Sequence, residues 1–455
     1  MGLSLEKFWL IRLIWRNKME KVYFITLGCS KNTYDSNIMK ELLKDEFEIA
    51  EDIINADYVI INTCGFIESA KEESIDTIME VIELQKGGLV KKIILAGCLS
   101  ERYKEELAKE IPEVSAFVGT GNISSIKKVI ERLKEEDLII TESDINSEIP
   151  EITRKTDISH IEYVKISEGC DNFCSYCIIP KLRGRNRSRK IEDIVKEIEN
   201  LTSNGAREIV LIAQNSTDYG IDLYGKRSLS NLLKSIDKIN GDFWVRILYM
   251  YTDGIDKELL EVISNSKKIL PYFDIPLQHI SDSVLKAMNR NTSGIKIRQI
   301  LKNIKDSIEE AVIRTTIIVG FPGESEKDFE ELINFIGEGA IDKLGVFEYS
   351  REEDTPAYNL PNQIDEEVKR YRRDSLMEKQ LEVSEKLLRN KIGQHYRVLI
   401  DEYAGEGNYI GRSYMDAEEV DGVIYIESKD ELIVGDFVKV EITDSLEYDL
   451  IGRII

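Results

Sequence analysis

The chain has 455 residues, with 61 Lys+Arg against 84 Asp+Glu and a formal net charge of −23 at pH 7. This length is too great for one hydrophobic core and predicts about two to four domains. Its hydrophobic fraction of 42% and charged fraction of 32% are those of a globular protein without low-complexity tracts. The acidic balance argues against a general nucleic-acid binder, whose affinity comes largely from basic residues that neutralise phosphate. It favours a basic partner, although the same charge also serves solubility alone.

Residues 1–18 contain the apolar run FWLIRLIW, which Arg12 interrupts. The run is too short to span a bilayer, and no small-residue cleavage site follows it. We therefore expect the biological start at Met19 and no function in residues 1–18. Six cysteines in a chain of this length do not form a disulfide scaffold, and their grouping predicts metal binding in a reducing cytoplasm.

Residues 21–145 predict a domain in which short apolar strands alternate with helices. The segments VYFITLG (22–28), YVIINTC (58–64) and KIILAGC (92–98) are rich in β-branched residues and are typical of buried strands. Each is followed by a polar turn and a helical pattern. This alternation predicts a doubly wound sheet of parallel strands.

Each of these three strands ends at or beside a cysteine, namely Cys29, Cys64 and Cys98. The carboxyl ends of parallel strands lie at one edge of a sheet, where ligands bind and where helix N-termini favour thiolates. We therefore predict that the three cysteines bind an auxiliary iron–sulfur cluster. The alternative is three small buried cysteines without a ligand, a common environment for free cysteine.

A polar, aperiodic segment at 143–159 predicts a linker, and a second alternation of strands and helices follows it to about residue 350. The predicted strands are YVKIS (163–167), EIVLIA (208–213), WVRILY (244–249), YFDIPL (272–277), RTTIIVG (314–320) and KLGVFEY (343–349). Six such units predict a partial (βα)6 barrel, with its chemistry at the carboxyl ends of the strands.

A loop directly after the first barrel strand contains Cys170, Cys174 and Cys177, with the spacing C-x3-C-x2-C. Iron–sulfur clusters are usually held by four cysteine thiolates. A loop with three therefore leaves one iron open to a small molecule. The alternatives are a zinc site or unrelated structural cysteines. Zinc would need a further ligand or a second pair, and none of the three histidines belongs to a His-x3-5-His motif.

Residues 362–393 have the composition of a long charged helix. The segments that follow it are punctuated by Gly and Asp and predict a small antiparallel β-barrel. They are HYRVLIDEY, YIGRSY, GVIYIES and DFVKVEITDSL. The predicted chain is thus an α/β multidomain protein with domains at 21–145, 158–390 and 391–455.

These segments together resemble the radical SAM methylthiotransferases over nearly the whole chain. The resemblance rests on TLGCSKNTYDS (26–36), INTCGFI (61–67), AGCLSERY (96–103), KISEGCDNFCSYCIIPKLRGRNRSR (165–189), DIPLQHISDSVLKAMNR (274–290), RTTIIVGFPGE (314–324) and GRSYMDAEEVDGVIYI (411–426). Within that family, GCSKN and IIPKLRG are similar to the RimO branch, whereas the tRNA-modifying branch usually has GCQMN and VPYTRG there. The C-terminal segment resembles a TRAM domain.

The resemblance implies a cytoplasmic enzyme that adds a methylthio group to the β-carbon of an aspartate in ribosomal protein S-twelve. It implies two 4Fe-4S clusters, one on each cysteine triad, and S-adenosyl-L-methionine (SAM) as methyl donor and radical source. Because the attacked C–H bond is unactivated, no catalytic side chain beyond the cluster ligands is expected. The implied partners are S-twelve or the small ribosomal subunit, a sulfur donor and an electron donor. No membrane and no sequence-specific nucleic acid are expected among them.

Four residues are expected to contact SAM. Tyr176, between two cluster cysteines, is placed near the adenine, with loop packing as its alternative. Gln214, which ends the second barrel strand, is placed at the methionine part. Arg314 suits either the SAM carboxylate or an ion pair at the barrel base, and the sequence leaves both open. Gly320, in VGFPGE, resembles a turn near the adenine, although a glycine pattern alone is weak evidence.

Two further features have more than one interpretation. His279 either faces substrate or has a structural role, and the structural role is the default. The basic segment KLRGRNRSRK (181–190) either clamps the substrate or pairs with carboxylates such as Glu192 and Asp193.

Residues 391–455 carry six Lys+Arg against fifteen Asp+Glu. A barrel that gripped tRNA should not be so acidic, whereas a basic ribosomal protein would be attracted to it. The rival enzyme hypothesis is a tRNA methylthiotransferase that acts on a modified adenosine. The rival from another class is a non-enzymatic metal-binding scaffold.

Overall fold

The computed structural model describes residues 19–155, 157–418 and 420–455. The expectation that residues 1–18 carry no function lies outside the described residues. The chain divides into two compact units, Met1–Ile152 and Thr153–Ile455. The predicted domains 158–390 and 391–455 both fall within the second unit.

In the described part of the first unit, one sheet contains six strands, and every neighbouring pair is parallel. The strands are β1 (Glu20–Thr26), β2 (Phe47–Ile49), β3 (Ala56–Thr63), β4 (Val90–Gly97), β5 (Val114–Val118) and β6 (Ile139–Ile140). Their order across the sheet is β2-β1-β3-β4-β5-β6. The predicted parallel sheet is confirmed, and the three predicted strands are its neighbours β1, β3 and β4.

Helices connect these strands and bury the sheet. They are α1 (Ser30–Leu43), α2 (Glu68–Lys86), α3 (Cys98–Glu110) and α4 (Ile126–Arg132). Because helices pack against the sheet, its central strands are apolar almost throughout. Val59 and Ile93 are fully buried and belong to one cluster with Ile78 and Ile82 of α2.

The second unit begins with the predicted partial barrel. Its strands are β7 (Ile161–Lys165), β10 (Glu208–Ile212), β11 (Trp244–Ile247), β12 (Tyr272–Asp274), β13 (Val312–Val319) and β14 (Lys343–Glu348). They form two parallel sheets, β7-β10-β11 and β12-β13-β14. The Met250 N–H donates to the Asp274 carbonyl at 2.8 Å and so links the two sheets. A short antiparallel pair, β8 (Ser167–Glu168) and β9 (Arg187–Ser188), lies beside the first strand.

The helices of this unit surround the barrel. They are α5 (Ile179–Arg183), α6 (Ile191–Ser203), α7 (Ile221–Tyr224), α8 (Leu229–Ile236), α9 (Lys257–Asn265), α10 (Asp282–Ala287), α11 (Gly294–Ser307), α12 (Glu326–Gly337) and α13 (Glu366–Arg389). The long helix α13 lies where the charged segment predicts it. Within the described residues, no helix has the length and apolar character needed to cross a membrane.

The C-terminal strands close into a barrel. They are β15 (His395–Gly405), β16 (Asn408–Arg412), β17 (Ile424–Glu427), β18 (Phe437–Ser445) and β19 (Leu450–Ile454), in the order β15-β16-β17-β19-β18. The pairing is antiparallel, as predicted, except for the parallel pair of β17 and β19.

Buried ion pairs join the base of the partial barrel to this closed barrel. Glu208, at the start of β10, accepts a hydrogen bond from Arg246 Nε at 2.6 Å and pairs with Arg412 Nη2 at 2.8 Å. Burial acts to raise the pKa of Glu208, but Arg246 and Arg412 hold it below its usual range. Separating such a pair would leave an uncompensated charge in the protein interior, which is strongly unfavourable. These contacts therefore hold the two barrels together.

Candidate functional site

The first unit brings Cys29, Cys64 and Cys98 to one edge of its sheet. They follow β1, β3 and β4, which are direct neighbours. Because these strands are parallel, their carboxyl ends meet at the same edge. Cys64 and Cys98 are buried and Cys29 is exposed, so Cys29 is the most accessible of the three.

Two glycines show how closely the cysteine-bearing turns approach one another. A Cβ on Gly28 would lie 2.7 Å from Cβ and 3.1 Å from Sγ of Cys64. A Cβ on Gly65 would lie 2.8 Å from Leu99 Cα and 3.0 Å from the carbonyl carbon of Cys98. The turn before Cys29 therefore contacts Cys64, and the turn after Cys64 contacts Cys98.

Polar side chains that the sequence did not single out hold these turns. Asn32 Nδ2 donates to the carbonyl oxygens of Leu27 at 2.8 Å and Thr63 at 3.0 Å. Ser74 Oγ accepts the Cys64 N–H at 3.1 Å and lies 3.0 Å from the Cys64 carbonyl oxygen, to which it donates. Their partners lie in other turns or helices, so no local sequence pattern reveals them.

The surroundings of this triad suit a metal cluster. Cys29 is the N-cap of α1, and Cys98 is the first residue of α3. The positive end of a helix dipole favours the thiolate, which is the form that binds metal. As the side chains stand, no group of three or more His, Cys, Asp or Glu among the described residues has the spacing of a complete ligand set. The fit therefore rests on the contacts between the turns and on the three thiols they carry.

In the second unit, Cys170, Cys174 and Cys177 lie in the loop between β8 and α5, just after the first barrel strand. The Cys170 N–H donates to the Gly184 carbonyl at 3.1 Å, and the Cys177 N–H donates to the Cys174 carbonyl at 3.0 Å. Gly169 starts the loop with φ +79, a conformation that suits glycine. The loop is thus a compact turn fixed at the carboxyl end of the barrel.

The thiols of this loop lie close enough to influence one another. Burial raises the pKa of Cys170 to about 11, and Cys174 adds to the increase. Burial also raises the pKa of Cys177, and the neighbouring Cys174 adds to that increase. A metal that binds here therefore replaces the thiol protons with its own positive charge. Three adjacent thiols, one buried and two partly buried, fit an iron–sulfur cluster with one open iron.

Tyr176 lies among residues that surround this loop. Its hydroxyl oxygen accepts a hydrogen bond from Arg290 Nη1 at 3.2 Å. Arg290 also stacks on the ring of Tyr251, 4.2 Å from the centroid, and the Tyr251 hydroxyl lies 3.7 Å from Cys174 Sγ. Tyr176 packs in addition against the cluster that contains Phe321. The sequence did not identify Arg290 or Tyr251, which are distant from the cysteines along the chain.

Gln214 lies just after β10 and is fixed by a carboxylate. Its Nε2 donates to Glu168 Oε1 at 2.5 Å. Glu168 also accepts hydrogen bonds from Lys165 and Arg183. Burial acts to raise the pKa of Glu168, but Arg183 and Lys165 hold it far below its usual range. Gln214 Oε1 is buried and has no hydrogen-bond partner among the described residues, so it is available to a ligand.

Gly320 lies at the same end of the barrel, directly after β13. It has φ +72, and a Cβ there would collide with the side chain of Lys369. The N–H groups of Gly320 and Phe321 donate to Glu324 Oε2 at 2.6 and 3.1 Å. Burial raises the pKa of Glu324 to about 7. Phe321, next to Gly320, belongs to the apolar cluster against which Tyr176 packs, so the glycine turn and Tyr176 border the same cluster.

His279 is completely buried. Its Nδ1 accepts the Ser281 N–H at 3.0 Å, and its Nε2 lies 4.0 Å from Glu324 Oε2. Burial lowers its pKa to about 4, so the ring is neutral at neutral pH. This environment fits the structural role expected by default.

Arg314 is not brought to the cysteine loop. It is the third residue of β13, where Nη1 donates to Asp274 Oδ1 at 2.8 Å and Nε lies 3.5 Å from Asp421 Oδ1. Asp421 lies between strands of the C-terminal barrel, at the base of the partial barrel. Of the two roles that the sequence left open, the geometry favours the ion pair and gives no support to a SAM contact.

The basic segment 181–190 pairs with carboxylates. The sequence suggested Glu192 and Asp193 as partners. The pairs in the structure include Arg183–Glu168 at 3.0 Å, Arg185–Asp171 at 2.5 Å and Arg189–Glu197 at 2.7 Å. These contacts favour a role in fixing the cysteine loop and the first helix of the barrel over a substrate clamp.

Models of protein families match three parts of the chain. Residues 21–119 match the uncharacterized protein family UPF0004, residues 164–336 match the radical SAM superfamily, and residues 392–455 match the TRAM domain. Together with the three-cysteine loop at the mouth of the partial barrel, these matches define a radical SAM enzyme with a cysteine-bearing N-terminal domain and a C-terminal TRAM barrel.

The chain is also similar to curated proteins over nearly its whole length. It is 50% identical over 442 residues to the ribosomal protein uS12 methylthiotransferase RimO of Clostridioides difficile (strain 630), which covers 96% of this chain and 99% of that protein. The RimO protein of Thermoanaerobacter sp. (strain X514) is 49% identical over 438 residues, covering 96% and 100%. That of Bdellovibrio bacteriovorus is 43% identical over 447 residues, covering 96% and 98%. The chain belongs to the RimO family of ribosomal protein uS12 methylthiotransferases.

Solved structures share the architecture at low sequence identity. The radical S-adenosylmethionine methyltransferase TsrM of Kitasatospora setae matches with a TM-score of 0.53 and 12% identity, covering 75% of this chain and 74% of that one. The cobalamin-dependent S-adenosylmethionine radical enzyme OxsB matches with a TM-score of 0.53 and 14% identity, covering 84% and 58%. Identities this low show the common fold alone.

Proposed function

We propose that this chain transfers a methylthio group to the β-carbon of an aspartate in ribosomal protein uS12, the S-twelve protein of the small subunit. Relatives that are 43 to 50% identical bear the name of uS12 methylthiotransferase. The observation that carries the proposal is the presence of two separate cysteine triads, each at the carboxyl ends of parallel strands. One triad suits radical formation, and the other suits the supply of sulfur.

The cysteines would hold two 4Fe-4S clusters. Cys170, Cys174 and Cys177 would bind the cluster that receives SAM, and the triad in the first unit would bind the second. When bound, SAM and its cluster would supply the radical that removes a hydrogen atom from an unactivated C–H bond. Side chains alone cannot carry out this reaction. A sulfur donor and a one-electron donor complete the partners that we propose.

Residues at the mouth of the barrel would position SAM. Gln214 Oε1, a buried acceptor without a protein partner, suits the ammonium group of the methionine part. Its Nε2 stays bonded to Glu168, so the acceptor keeps a fixed direction. Tyr176 and the turn at Gly320, which border the same apolar cluster, suit the adenine. We assign no SAM contact to Arg314.

The charge of the C-terminal barrel supports a basic protein substrate. Three of its carboxylates, Asp401, Asp416 and Asp421, pair with cations of the second unit. Other carboxylates in this barrel are exposed, namely Glu402, Glu406, Glu427, Asp430, Glu431, Asp444 and Glu447. Such a surface attracts a basic ribosomal protein and repels the phosphates of tRNA.

The test is anaerobic reconstitution with iron and sulfide, followed by incubation with SAM, dithionite and either uS12 or bulk tRNA. Mass spectrometry of uS12 peptides should show a methylthio group on one aspartate, while the tRNA nucleosides stay unchanged. A modified nucleoside with an untouched peptide would instead favour the tRNA enzyme. If iron-loaded protein forms no 5′-deoxyadenosine, the result would favour a non-enzymatic metal-binding scaffold.

Matched cysteine variants separate the two sites. Cys170→Ala should lose one cluster and all cleavage of SAM to 5′-deoxyadenosine. Cys64→Ala should lose the other cluster, keep that cleavage and fail to modify uS12. If both variants lost the same cluster by iron analysis and spectroscopy, the assignment of two sites would be wrong.

A further inference from the structure

One buried arginine in the second unit differs from the others in its surroundings. Arg290 is 6% exposed, and among the described residues no Asp or Glu carboxylate lies within 4.0 Å of its guanidinium. Every other buried arginine of the described chain pairs with a carboxylate. These are Arg154, Arg183, Arg189, Arg246, Arg372 and Arg412.

A buried cation without an anion is unfavourable, because burial removes its hydration and nothing replaces it. An arginine cannot avoid this cost by losing its proton. The partners of Arg290 are neutral: Nη2 donates to the Pro276 carbonyl at 2.6 Å, and Nη1 donates to Tyr176. Its Nε is buried without a hydrogen-bond partner. The described chain therefore leaves a positive charge uncompensated at this place.

The uncompensated charge lies beside the three-cysteine loop. Arg290 stacks on Tyr251, whose hydroxyl lies 3.7 Å from Cys174 Sγ. Tyr176, which accepts the hydrogen bond of Arg290, stands between Cys174 and Cys177 in the chain. The thiols that metal binding converts to thiolates thus lie directly behind the two tyrosines that contact this cation.

The segment that carries Arg290 is bound directly to the loop. Ser175 donates its N–H to the Met288 carbonyl at 2.9 Å and its Oγ to the Ala287 carbonyl at 2.8 Å. Asn289 Nδ2 donates to the Phe173 carbonyl at 2.9 Å. These bonds fix the distance between the cation and the cysteines.

We propose that Arg290 is the counter-charge of the cluster on Cys170, Cys174 and Cys177, and that it positions Tyr176 and Tyr251 against that cluster. The inference rests on the proposed function, because it requires a cluster on this loop. Three thiolates outweigh the positive charge of an oxidised iron–sulfur core, and one-electron reduction adds a further negative charge. A fixed cation in a buried site stabilises the reduced state more than the oxidised state. Arg290 therefore makes the cluster easier to reduce.

The test uses the full chain with Cys29, Cys64 and Cys98 replaced by Ala, so that only the loop cluster contributes to the signal. In this reference protein, Arg290→Gln removes the charge, and Arg290→Lys keeps it. Arg298→Gln is the control, because Arg298 is a partly exposed arginine of α11 that pairs with Glu338. Iron content is measured first, and the midpoint potential is then measured by EPR during titration with dithionite and redox mediators.

Arg290→Gln should lower the equilibrium constant for one-electron reduction at least tenfold, which corresponds to about 59 mV. Arg290→Lys should keep most of the reference value, and Arg298→Gln should keep all of it. A loaded Arg290→Gln protein with an unchanged potential would overturn the proposal. If Arg290→Gln cannot retain iron, retention by Arg290→Lys supports the role of the charge. Loss of iron in both variants would overturn the proposal, because a positive charge alone at position 290 would then not preserve the cluster.

Tyr251→Phe tests the positioning role independently. It removes the hydroxyl that lies 3.7 Å from Cys174 Sγ and keeps the ring on which Arg290 stacks. Its midpoint potential should fall by less than that of Arg290→Gln, and an unchanged value would overturn the positioning of Tyr251.

A reference protein without iron on the loop would contradict the proposed function itself. A loaded reference with unshifted variants would contradict only the role of Arg290.

Discussion

One added methyl group at Gly28 is expected to disable the N-terminal cysteine site. Gly28 has φ +87, and a left-handed conformation costs a residue with a Cβ about 1–2 kcal/mol. The new Cβ would also lie 2.7 Å from Cys64 Cβ, whereas carbon atoms in contact prefer about 3.5–4.0 Å. Relief of this overlap requires a shift of roughly 1 Å in the turn of Cys29 or Cys64. Metal ligands tolerate only about 0.2 Å.

The variant Gly28→Ala should therefore lose the cluster of the first unit and keep the other. Iron analysis after reconstitution should fall from about eight to about four atoms per chain. Formation of 5′-deoxyadenosine should continue, while methylthio transfer should fall about 10–100-fold or more, the range for disturbed ligand support. Full iron content with normal transfer would refute the close approach of the two turns.

Gly88→Ala is the matched control for this experiment. Gly88 also has a positive φ, +75, but a Cβ there meets nothing within 4 Å. It should show a similar loss of stability and no loss of iron. An equal loss of iron in both variants would assign the effect to backbone strain and not to the contact with Cys64.

Three further outcomes follow from the second unit. Gln214→Leu should raise the KM for SAM about tenfold or more, because it removes one hydrogen bond to a charged group. An unchanged KM for SAM, measured in SAM-cleavage kinetics, would exclude the contact. Arg412→Ala breaks the buried pair with Glu208 and should lower the free energy of unfolding by about 3–5 kcal/mol. The melting temperature should fall accordingly, and an unchanged melting curve would contradict this prediction. His279 has a folded pKa of about 4, lowered from 6.5 by burial, so the unfolded chain binds its proton first. The contribution of His279 to stability should therefore rise by about 3 kcal/mol between pH 4 and 6.5, whereas Glu324, whose pKa burial raises to about 7, contributes in the opposite direction over an overlapping range. The difference in melting temperature between the parent chain and His279→Gln should therefore grow in favour of the parent as the pH rises from 4 to 6.5.

The larger features of the fold were predictable because they depend on local patterns. Continuous apolar runs predicted β1, β3 and β4 and the six strands of the partial barrel. The short edge strands β2 and β6, with three and two residues, have no such run. The pattern also placed three cysteines at neighbouring strand ends, because topology alone fixes that arrangement.

The finer features of the site depend on contacts between distant parts of the chain. Arg290 reaches Tyr176 across 114 positions of sequence, and no local motif announces that contact. Arg314 suited two roles by its chemistry, and only Asp274 and Asp421 beside it favour one of them. The basic segment has carboxylates next to it in sequence, but its pairs with Glu168, Asp171 and Glu197 depend on the fold.

The reaction proposed for this chain begins with removal of a hydrogen atom from the β-carbon of an aspartate in uS12. The most direct measurement uses uS12 made with aspartate that carries deuterium at the β-carbon. The reconstituted enzyme is incubated with this substrate, SAM and dithionite, and the 5′-deoxyadenosine formed is analysed by mass spectrometry. We predict one deuterium in the 5′-deoxyadenosine and a methylthio group on the same aspartate. A modified aspartate without deuterium in 5′-deoxyadenosine, or deuterium transfer without the methylthio group, would contradict the proposed reaction.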